Sequence, residues 1–69
     1  MMGSDLVQIY SVEKLYFAEL VRQMLMDHDI LSFIVNKQDS AYKFGEIELF
    51  VHRDDVMKAK MLIREFEML

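Results

Sequence analysis

The sequence predicts a small α+β domain in which two helices cover one face of a three-stranded antiparallel sheet. Three segments alternate apolar and polar residues with the period of a strand, and two longer segments repeat apolar residues with the period of a helix. They follow one another as β-α-β-β-α in a chain of only 69 residues. We therefore predict one domain over residues 1–69, because a chain of this length holds a single core.

The strand segments cover residues 6–10, 30–35 and 46–51. The third has the clearest alternation of apolar and polar side chains. Successive side chains of a strand point to opposite faces of the sheet, so each segment has an inner and an outer set. The residues assigned to the inner face are Val7 and Ile9 in the first strand, Leu31, Phe33 and Val35 in the second, and Ile47, Leu49 and Val51 in the third.

The first helix is predicted over residues 12–28, and the second runs to about residue 67. Ser11 offers a hydroxyl to cap the first helix, and Asp54 or Asp55 offers a carboxylate to cap the second. Apolar residues recur at spacings of three and four in both segments, which gives each helix one apolar stripe. The stripes are Leu15, Ala18, Val21 and Leu25 in the first helix, and Val56, Ala59, Leu62, Ile63 and Phe66 in the second.

The order of the elements also predicts the topology. Two helices on one face of a sheet make a two-layer sandwich. A β-α-β crossover that leaves room for the third strand between the first two gives the strand order 1-3-2. This is the ferredoxin-like plan without its final strand, and it leaves the first strand with an open edge.

Composition excludes several classes of protein. The chain has no cysteine, so it contains neither disulfides nor thiolate metal sites. Its apolar content of 54% argues against disorder, and its net charge of −4 argues against nucleic acid and anionic membranes as general partners. We expect a cytoplasmic protein, because no segment has the pattern of a membrane span or a signal peptide.

The polar segment from Asn36 to Lys43 is the first candidate site, a loop that binds a ligand or a partner. Loops positioned by a rigid sheet often carry binding residues. The ordinary alternative is a solvated connection in which Asn and Asp side chains bond to the local backbone. The candidate residues are Asn36, Lys37, Gln38, Asp39, Ser40, Tyr42 and Lys43.

The outer sheet face is the second candidate site. With the strand phases given above, Leu6, Tyr10, Ile34 and Phe50 point outward, where no second layer is predicted. A contiguous apolar patch indicates an interface, and a small domain without disulfides gains stability from self-association. We therefore expect a homo-oligomer formed through this face or through the edge of the first strand. Secondary candidates are Phe17 and Leu20 in the first helix and Met57, Met61 and Met68 in the second.

The two histidines do not form a recognisable chemical site. Each lies close in sequence to two aspartates, Asp27 and Asp29 for His28, and Asp54 and Asp55 for His52. A structural zinc site needs about four converging ligands, and these spacings fit no metal signature. We therefore predict no metal, no cofactor and no catalytic residues.

RNA recognition domains share the ferredoxin-like plan and stack bases on aromatic residues of the sheet. Here the corresponding positions are Gln8, Glu46 and Glu48. Two carboxylates on that face would repel phosphate. We therefore expect neither a nucleic-acid partner nor a membrane partner.

The segment from Asn36 to Ile47 reads Asn-Lys-Gln-Asp-Ser-Ala-Tyr-Lys-Phe-Gly-Glu-Ile. It resembles the bacterial family described as prokaryotic signal transducing proteins, a domain of unknown function, and members of the Bacteroidetes type are the most similar. The resemblance covers nearly the whole chain, with Asp29 standing where many members carry glycine. The residues themselves predict that the first helix stops near Asp27-His28-Asp29, because aspartate tolerates the left-handed conformation better than most residues.

The resemblance implies a PII-like ferredoxin fold and a regulatory or ligand-sensing role without chemistry. In PII-like proteins the connection that matches residues 36–43 carries effector contacts. We accordingly predict a non-enzymatic regulatory or signal-transducing module that acts by binding a protein or a small-molecule effector. The alternative is a ligand-free protein interaction or assembly domain.

Overall fold

The computed structural model describes residues 5–38 and 46–68. The three strands form one antiparallel sheet in the order β1-β3-β2, which confirms the predicted α+β class and the order 1-3-2. A 3₁₀ turn lies between the last strand and the last helix. The elements are β1 (Leu6–Val12), α1 (Leu15–Met26), β2 (Ser32–Asn36), β3 (Ile47–His52), the 3₁₀ turn (Arg53–Asp55) and α2 (Val56–Glu67).

The core lies between the sheet and the two helices. β3 is the central strand, and its alternation is as predicted, with every second side chain buried. Both helices bury one apolar stripe, although Leu15 of the predicted stripe is 43% exposed. The buried apolar residues among those described are Ala18, Val21, Leu25, Ile30, Ile47, Leu49, Val51, Ala59, Leu62 and Ile63.

A bulge in β1 reverses the prediction for Tyr10. Gln8 lies opposite Phe50, but Tyr10 lies opposite Leu49, so Ile9 is an extra residue in β1. An extra residue moves every later side chain to the other face. Tyr10 therefore lies on the inner face and packs against the core, and the prediction that it points outward is wrong.

The phase of β2 is also the reverse of the prediction. Ser32 lies opposite Val51 and Ile34 lies opposite Leu49, so both share the inner face with buried residues. Ser32 is 4% exposed, and Ile34 packs against the core. The predicted outward position of Ile34 is therefore wrong. The residues assigned to the core instead lie outside: Leu31 is 56% exposed, Phe33 43% and Val35 39%.

The start of α1 differs from the prediction because β1 continues to Val12. Ser11 therefore belongs to the strand, and its hydroxyl donates to the Glu46 carboxylate instead of capping the helix. Lys14 occupies the N-cap position without a side-chain cap bond. Val12 thus pairs within the sheet, although the periodicity assigned it to the first turn of the helix.

The end of α1 follows the prediction. Asp29 has a φ of 64°, which is the left-handed conformation expected there. The amide of Ile30 donates to the carbonyl of Leu25 at 2.9 Å, and that of Asp29 to the carbonyl of Met26, also at 2.9 Å. These two bonds define a Schellman motif, and burial of Ile30 and Leu25 supplies its apolar contact.

His52, at the end of β3, caps the segment that leads into α2. Its Nδ1 accepts a hydrogen bond from the Asp54 amide at 3.2 Å. Asp55 occupies the N-cap position of α2, but its side chain makes no cap bond. The prediction that Asp54 or Asp55 supplies a carboxylate cap is therefore wrong, because the 3₁₀ turn brings the imidazole to the free amide.

Candidate binding surface

The outer sheet face is the side of the sheet that points away from the two helices. Strand register places Phe33 opposite Phe50, and Phe50 opposite Gln8, so these three side chains form a row across the sheet. Leu6 and Val35 lie diagonally beside this row, within reach of its side chains. We call the apolar members of this face the apolar strip: Leu6, Leu31, Phe33, Val35 and Phe50.

Four of the five residues of the apolar strip are exposed, and Phe50 is half-buried. The exposed fractions are 37% for Leu6, 56% for Leu31 and 43% for Phe33. Single exposed apolar residues are common on soluble proteins, but a contiguous group indicates a contact surface. Two predicted interface residues, Leu6 and Phe50, lie on this face, whereas Tyr10 and Ile34 do not.

Sequence reasoning missed Leu31, Phe33 and Val35 as outer residues. Residues 30–35 are apolar at every position except Ser32, so the pattern contains no reliable phase. Ser32 even suggests the wrong phase, because a polar residue is expected to point outward and Ser32 is buried. Its Oγ has no hydrogen-bond partner among the described residues. Only the Schellman turn, which buries Ile30, indicates the true phase.

The two glutamates of the outer face each have a partner. Lys37 Nζ lies 3.3 Å from Glu48 Oε1, and the Glu48 side chain is only 15% exposed. The Glu46 carboxylate accepts the hydroxyl proton of Ser11 in a hydrogen bond. The charge at this end of the face is therefore partly neutralised beside the apolar strip.

The start of the candidate loop is held by one local and two long-range hydrogen bonds. Asn36 Oδ1 accepts from the Gln38 amide at 2.9 Å, and the Lys37 amide donates to the carbonyl of Glu46 at 3.1 Å. The Gln38 side-chain amide donates to the carbonyl of Glu13 at 2.5 Å. Of these three contacts, the Asn36 bond is of the kind expected for a solvated connection, in which a side chain bonds to the local backbone. The other candidates, Asp39, Ser40, Tyr42 and Lys43, lie outside the described residues.

The secondary candidates divide into two groups. The ring of Phe17 lies 6.2 Å from Tyr10 and 6.1 Å from Phe66, measured between centroids, so Phe17 joins the two helices to β1 and is not a free contact residue. The others are exposed: Leu20 53%, Met57 86%, Met61 50% and Met68 79%. A groove of about 460 Å³ lies along α2 and is lined by Met57, Lys58, Lys60, Met61 and Arg64.

The histidines make local contacts. His28 Nδ1 lies 3.0 Å from the carbonyl of Met24, and His52 Nδ1 is occupied by the amide of Asp54. Within residues 5–38 and 46–68, no group of three or more histidine, aspartate or glutamate side chains is arranged to hold a metal ion.

The phenol of Tyr10 lies in an environment that shifts its pKa. Its hydroxyl donates to Glu67 Oε2 at 2.5 Å. Burial of the phenol, followed by this hydrogen bond and the negative charge of Glu67, raises the pKa of Tyr10 to about 12. All three effects favour the protonated phenol. The hydrogen bond also links β1 to the end of α2.

Comparison of the chain with protein-family models, curated proteins and solved structures gave no match. In the part of the chain that the structure describes, neither helix has the length and apolar character needed to cross a membrane.

Proposed function

We propose that the chain is a small, non-enzymatic regulatory or signal-transducing module that acts by binding a protein on its outer sheet face. The observation that carries this proposal is the apolar strip, which no described element covers. The regulatory part rests on the resemblance of the segment from Asn36 to Ile47 to prokaryotic signal transducing proteins. The same resemblance supports a bacterial, cytoplasmic setting.

The chemistry of the face defines the partner. Its centre is the pair Phe33 and Phe50, and aromatic residues are enriched at the centres of protein interfaces. Glu48 is paired with Lys37, and Glu46, which keeps its charge, accepts a hydrogen bond from Ser11 beyond the end of β3. The partner therefore presents an apolar surface and needs no complementary charge at the centre of the contact.

The size of the face indicates a weak contact. Three strands about 4.8 Å apart and about six residues long, at about 3.4 Å per residue, present roughly 300 Å². A stable interface covers about 800 Å² on each partner. One copy of this face therefore favours a transient complex, which suits a module that exchanges partners.

Affinity capture from cells that express the protein natively, with three immobilised forms, tests the proposal. The forms are the wild type, Phe33→Ser in the apolar strip, and Leu20→Ser on α1 as the matched control, since Leu20 is 53% exposed. A captured protein should bind the wild type and Leu20→Ser equally. Loss of a central aromatic ring costs more than about 1 kcal/mol, so Phe33→Ser should bind about tenfold more weakly in calorimetry with the purified partner.

Retention of the same protein by Phe33→Ser would contradict the assignment of the face. If the wild type captures no protein that also binds the purified chain, the proposal that the chain acts by binding a protein is wrong. In that case the remaining possibility is the small-molecule effector predicted for the segment from Asn36 to Lys43.

A thermal-shift screen against nucleotides, 2-oxoacids and metal ions distinguishes an effector-controlled module from the alternative, a ligand-free interaction or assembly domain. A ligand that binds only the folded state raises the melting temperature by mass action. A shift that is lost when Lys37, Tyr42 and Lys43 are replaced together would place the effector at the loop. A screen without any shift favours the ligand-free domain.

A further inference from the structure

We infer that the chain pairs with a second copy of itself along the edge of β2 that has no partner strand among the described residues, which joins two three-stranded sheets into one sheet of six strands. This contact goes beyond binding of a different protein on the outer sheet face. It concerns the backbone edge of the sheet, which is a separate surface.

The two edges of the sheet differ in their ability to pair. β1 is interrupted by the bulge at Ile9, and bulges disrupt the regular row of backbone groups that another strand would need. β2 pairs with β3 without a bulge and reads Ser-Phe-Ile-Val-Asn, without charge or proline. Charges, prolines and bulges are the usual devices that prevent edge pairing, and β2 has none of them.

The direction of the backbone groups in β2 follows from one hydrogen bond. The Lys37 amide donates to the carbonyl of Glu46, so these residues form a hydrogen-bonded pair of the antiparallel ladder. Such pairs recur at every second residue, so Phe33 and Val35 also direct their backbone groups to β3. The N–H and C=O groups of the intervening residues, Ser32, Ile34 and Asn36, therefore point to the free edge.

The free N–H and C=O groups of β2 can pair with the same groups of a second copy. In an antiparallel contact with a two-fold axis at Ile34, Ile34 lies opposite Ile34 of the second copy, and Ser32 lies opposite Asn36. Each such pair exchanges two hydrogen bonds, so three pairs make about six in all. A shift by two residues in either direction leaves some of these groups without a partner, so this register is favoured. An isologous contact of this kind is the most common form of homodimer.

The side chains on the outer sheet face support the same contact. In the register given above, Phe33 lies beside Val35 of the second copy, so the two apolar strips become continuous. The combined face of six strands presents roughly 600 Å², which approaches the standard size for one side of a stable interface. Pairing thus doubles the surface available to a protein partner.

The helix layer adds apolar contacts over this edge. α1 packs mainly on β2, and its residues Phe17 and Met24 face α2. Leu15 and Met26 lie about 160° around the helix from these residues, on the side of α1 that points away from α2. They are 43% and 42% exposed, and a second α1 across the β2 edge would cover them.

Sedimentation velocity over a range of concentrations, with two lysine variants, tests this inference. Val35→Lys places a charge at the proposed joint, and Leu6→Lys places one on the same face at the opposite edge, where Leu6 is 37% exposed, close to the 39% of Val35. We expect the wild type and Leu6→Lys to dimerise alike and Val35→Lys to dissociate at least tenfold more readily. A monomeric wild type at high micromolar concentration overturns the inference. Dissociation of Leu6→Lys, alone or together with Val35→Lys, also overturns it, because it indicates the other edge or stacking of the faces.

Amide hydrogen exchange provides a second readout that does not depend on the variants. The amides of Ile34 and Asn36 should be protected in concentrated wild-type protein and lose protection on dilution, whereas those of Phe33 and Val35 should stay protected throughout. Rapid exchange at Ile34 and Asn36 at all concentrations overturns the inference even if a dimer forms. If the wild type is a monomer but still binds a different protein through Phe33, edge pairing is wrong and the proposed function stands.

Discussion

Asp29 shows how one residue sets the geometry of the turn that leads into β2. Its φ of 64° lies in the left-handed region, where glycine pays no steric penalty and other residues do. The sequence predicted this conformation correctly, because the requirement is local and few residue types meet it. The consequence reaches further, since the turn buries Ile30 and thereby determines which face of β2 points inward.

Replacement of Asp29 by glycine should stabilise the protein. Relief of the left-handed strain should raise the free energy of unfolding by about 0.5–1 kcal/mol, as measured by urea denaturation. The matched control is Asp27→Gly, since Asp27 has a right-handed φ of −63° and glycine gives no benefit there. Equal effects of the two substitutions would contradict this explanation.

Tyr10 should make folding stability depend on pH in the alkaline range. Its pKa is raised from 10.0 to about 12 in the folded protein, so the folded state favours the protonated phenol. The stabilisation is fully present below pH 10 and is lost as the pH rises to about 12. We expect a late-titrating phenol in near-ultraviolet absorbance, together with a fall in stability over this range.

Two variants check the assignment to Tyr10. Tyr10→Phe should abolish the late-titrating component and reduce the alkaline loss of stability. Tyr16→Phe alters a side chain that is 68% exposed and should leave the component in place. Persistence of the late titration in Tyr10→Phe would show that another tyrosine is responsible.

At the scale of the element, the entry to α2 depends on the imidazole of His52. Its Nδ1 accepts from the Asp54 amide, which satisfies a donor that would otherwise bond only to water. His52→Ala should therefore lower the free energy of unfolding by about 1 kcal/mol. His52→Asn is the matched variant, because its Oδ1 can accept the same hydrogen bond, and it should retain most of the stability in chemical denaturation. Equal losses in both variants would exclude the cap as the cause.

The strands differ in how far the sequence could predict them. β3 was predicted correctly because it is buried on one face only, so its polar residues report its phase. The second segment, residues 30–35, has apolar residues on both faces, and its only polar residue, Ser32, is buried. The bulge in β1 has no sequence signal of its own, since Ile9 is an ordinary strand residue. Of the four residues predicted to point outward, Leu6 and Phe50 therefore do so, whereas Tyr10 and Ile34 lie on the inner face.

At the scale of the whole molecule, the domain depends on a small core. At 0.05–0.15 kcal/mol per residue, a chain of 69 residues has a stability of roughly 3–10 kcal/mol. Leu25 is fully buried between the sheet and the helices, and a buried leucine replaced by alanine costs about 2–5 kcal/mol. One such substitution therefore removes much of the total.

Leu25→Ala should lower the melting temperature strongly and leave a substantial unfolded fraction at moderate temperature. Leu20→Ala on the same helix changes a side chain that is 53% exposed and should alter the free energy of unfolding by less than about 0.5 kcal/mol. Circular dichroism during heating measures both. A small effect of Leu25→Ala would mean that the core tolerates a cavity better than its size indicates.

The bulge at Ile9 also bears on whether association ends at two copies. If both edges of the sheet were regular, β1 of each copy could pair with β2 of the next, and the chain would polymerise into an open ribbon without a natural end. The bulge makes one edge unsuitable for this growth, which leaves the proposed two-fold pairing of β2 with β2 of a second copy. If the proposed dimer forms, the extra residue Ile9 would limit association to two copies and oppose growth into a fibre.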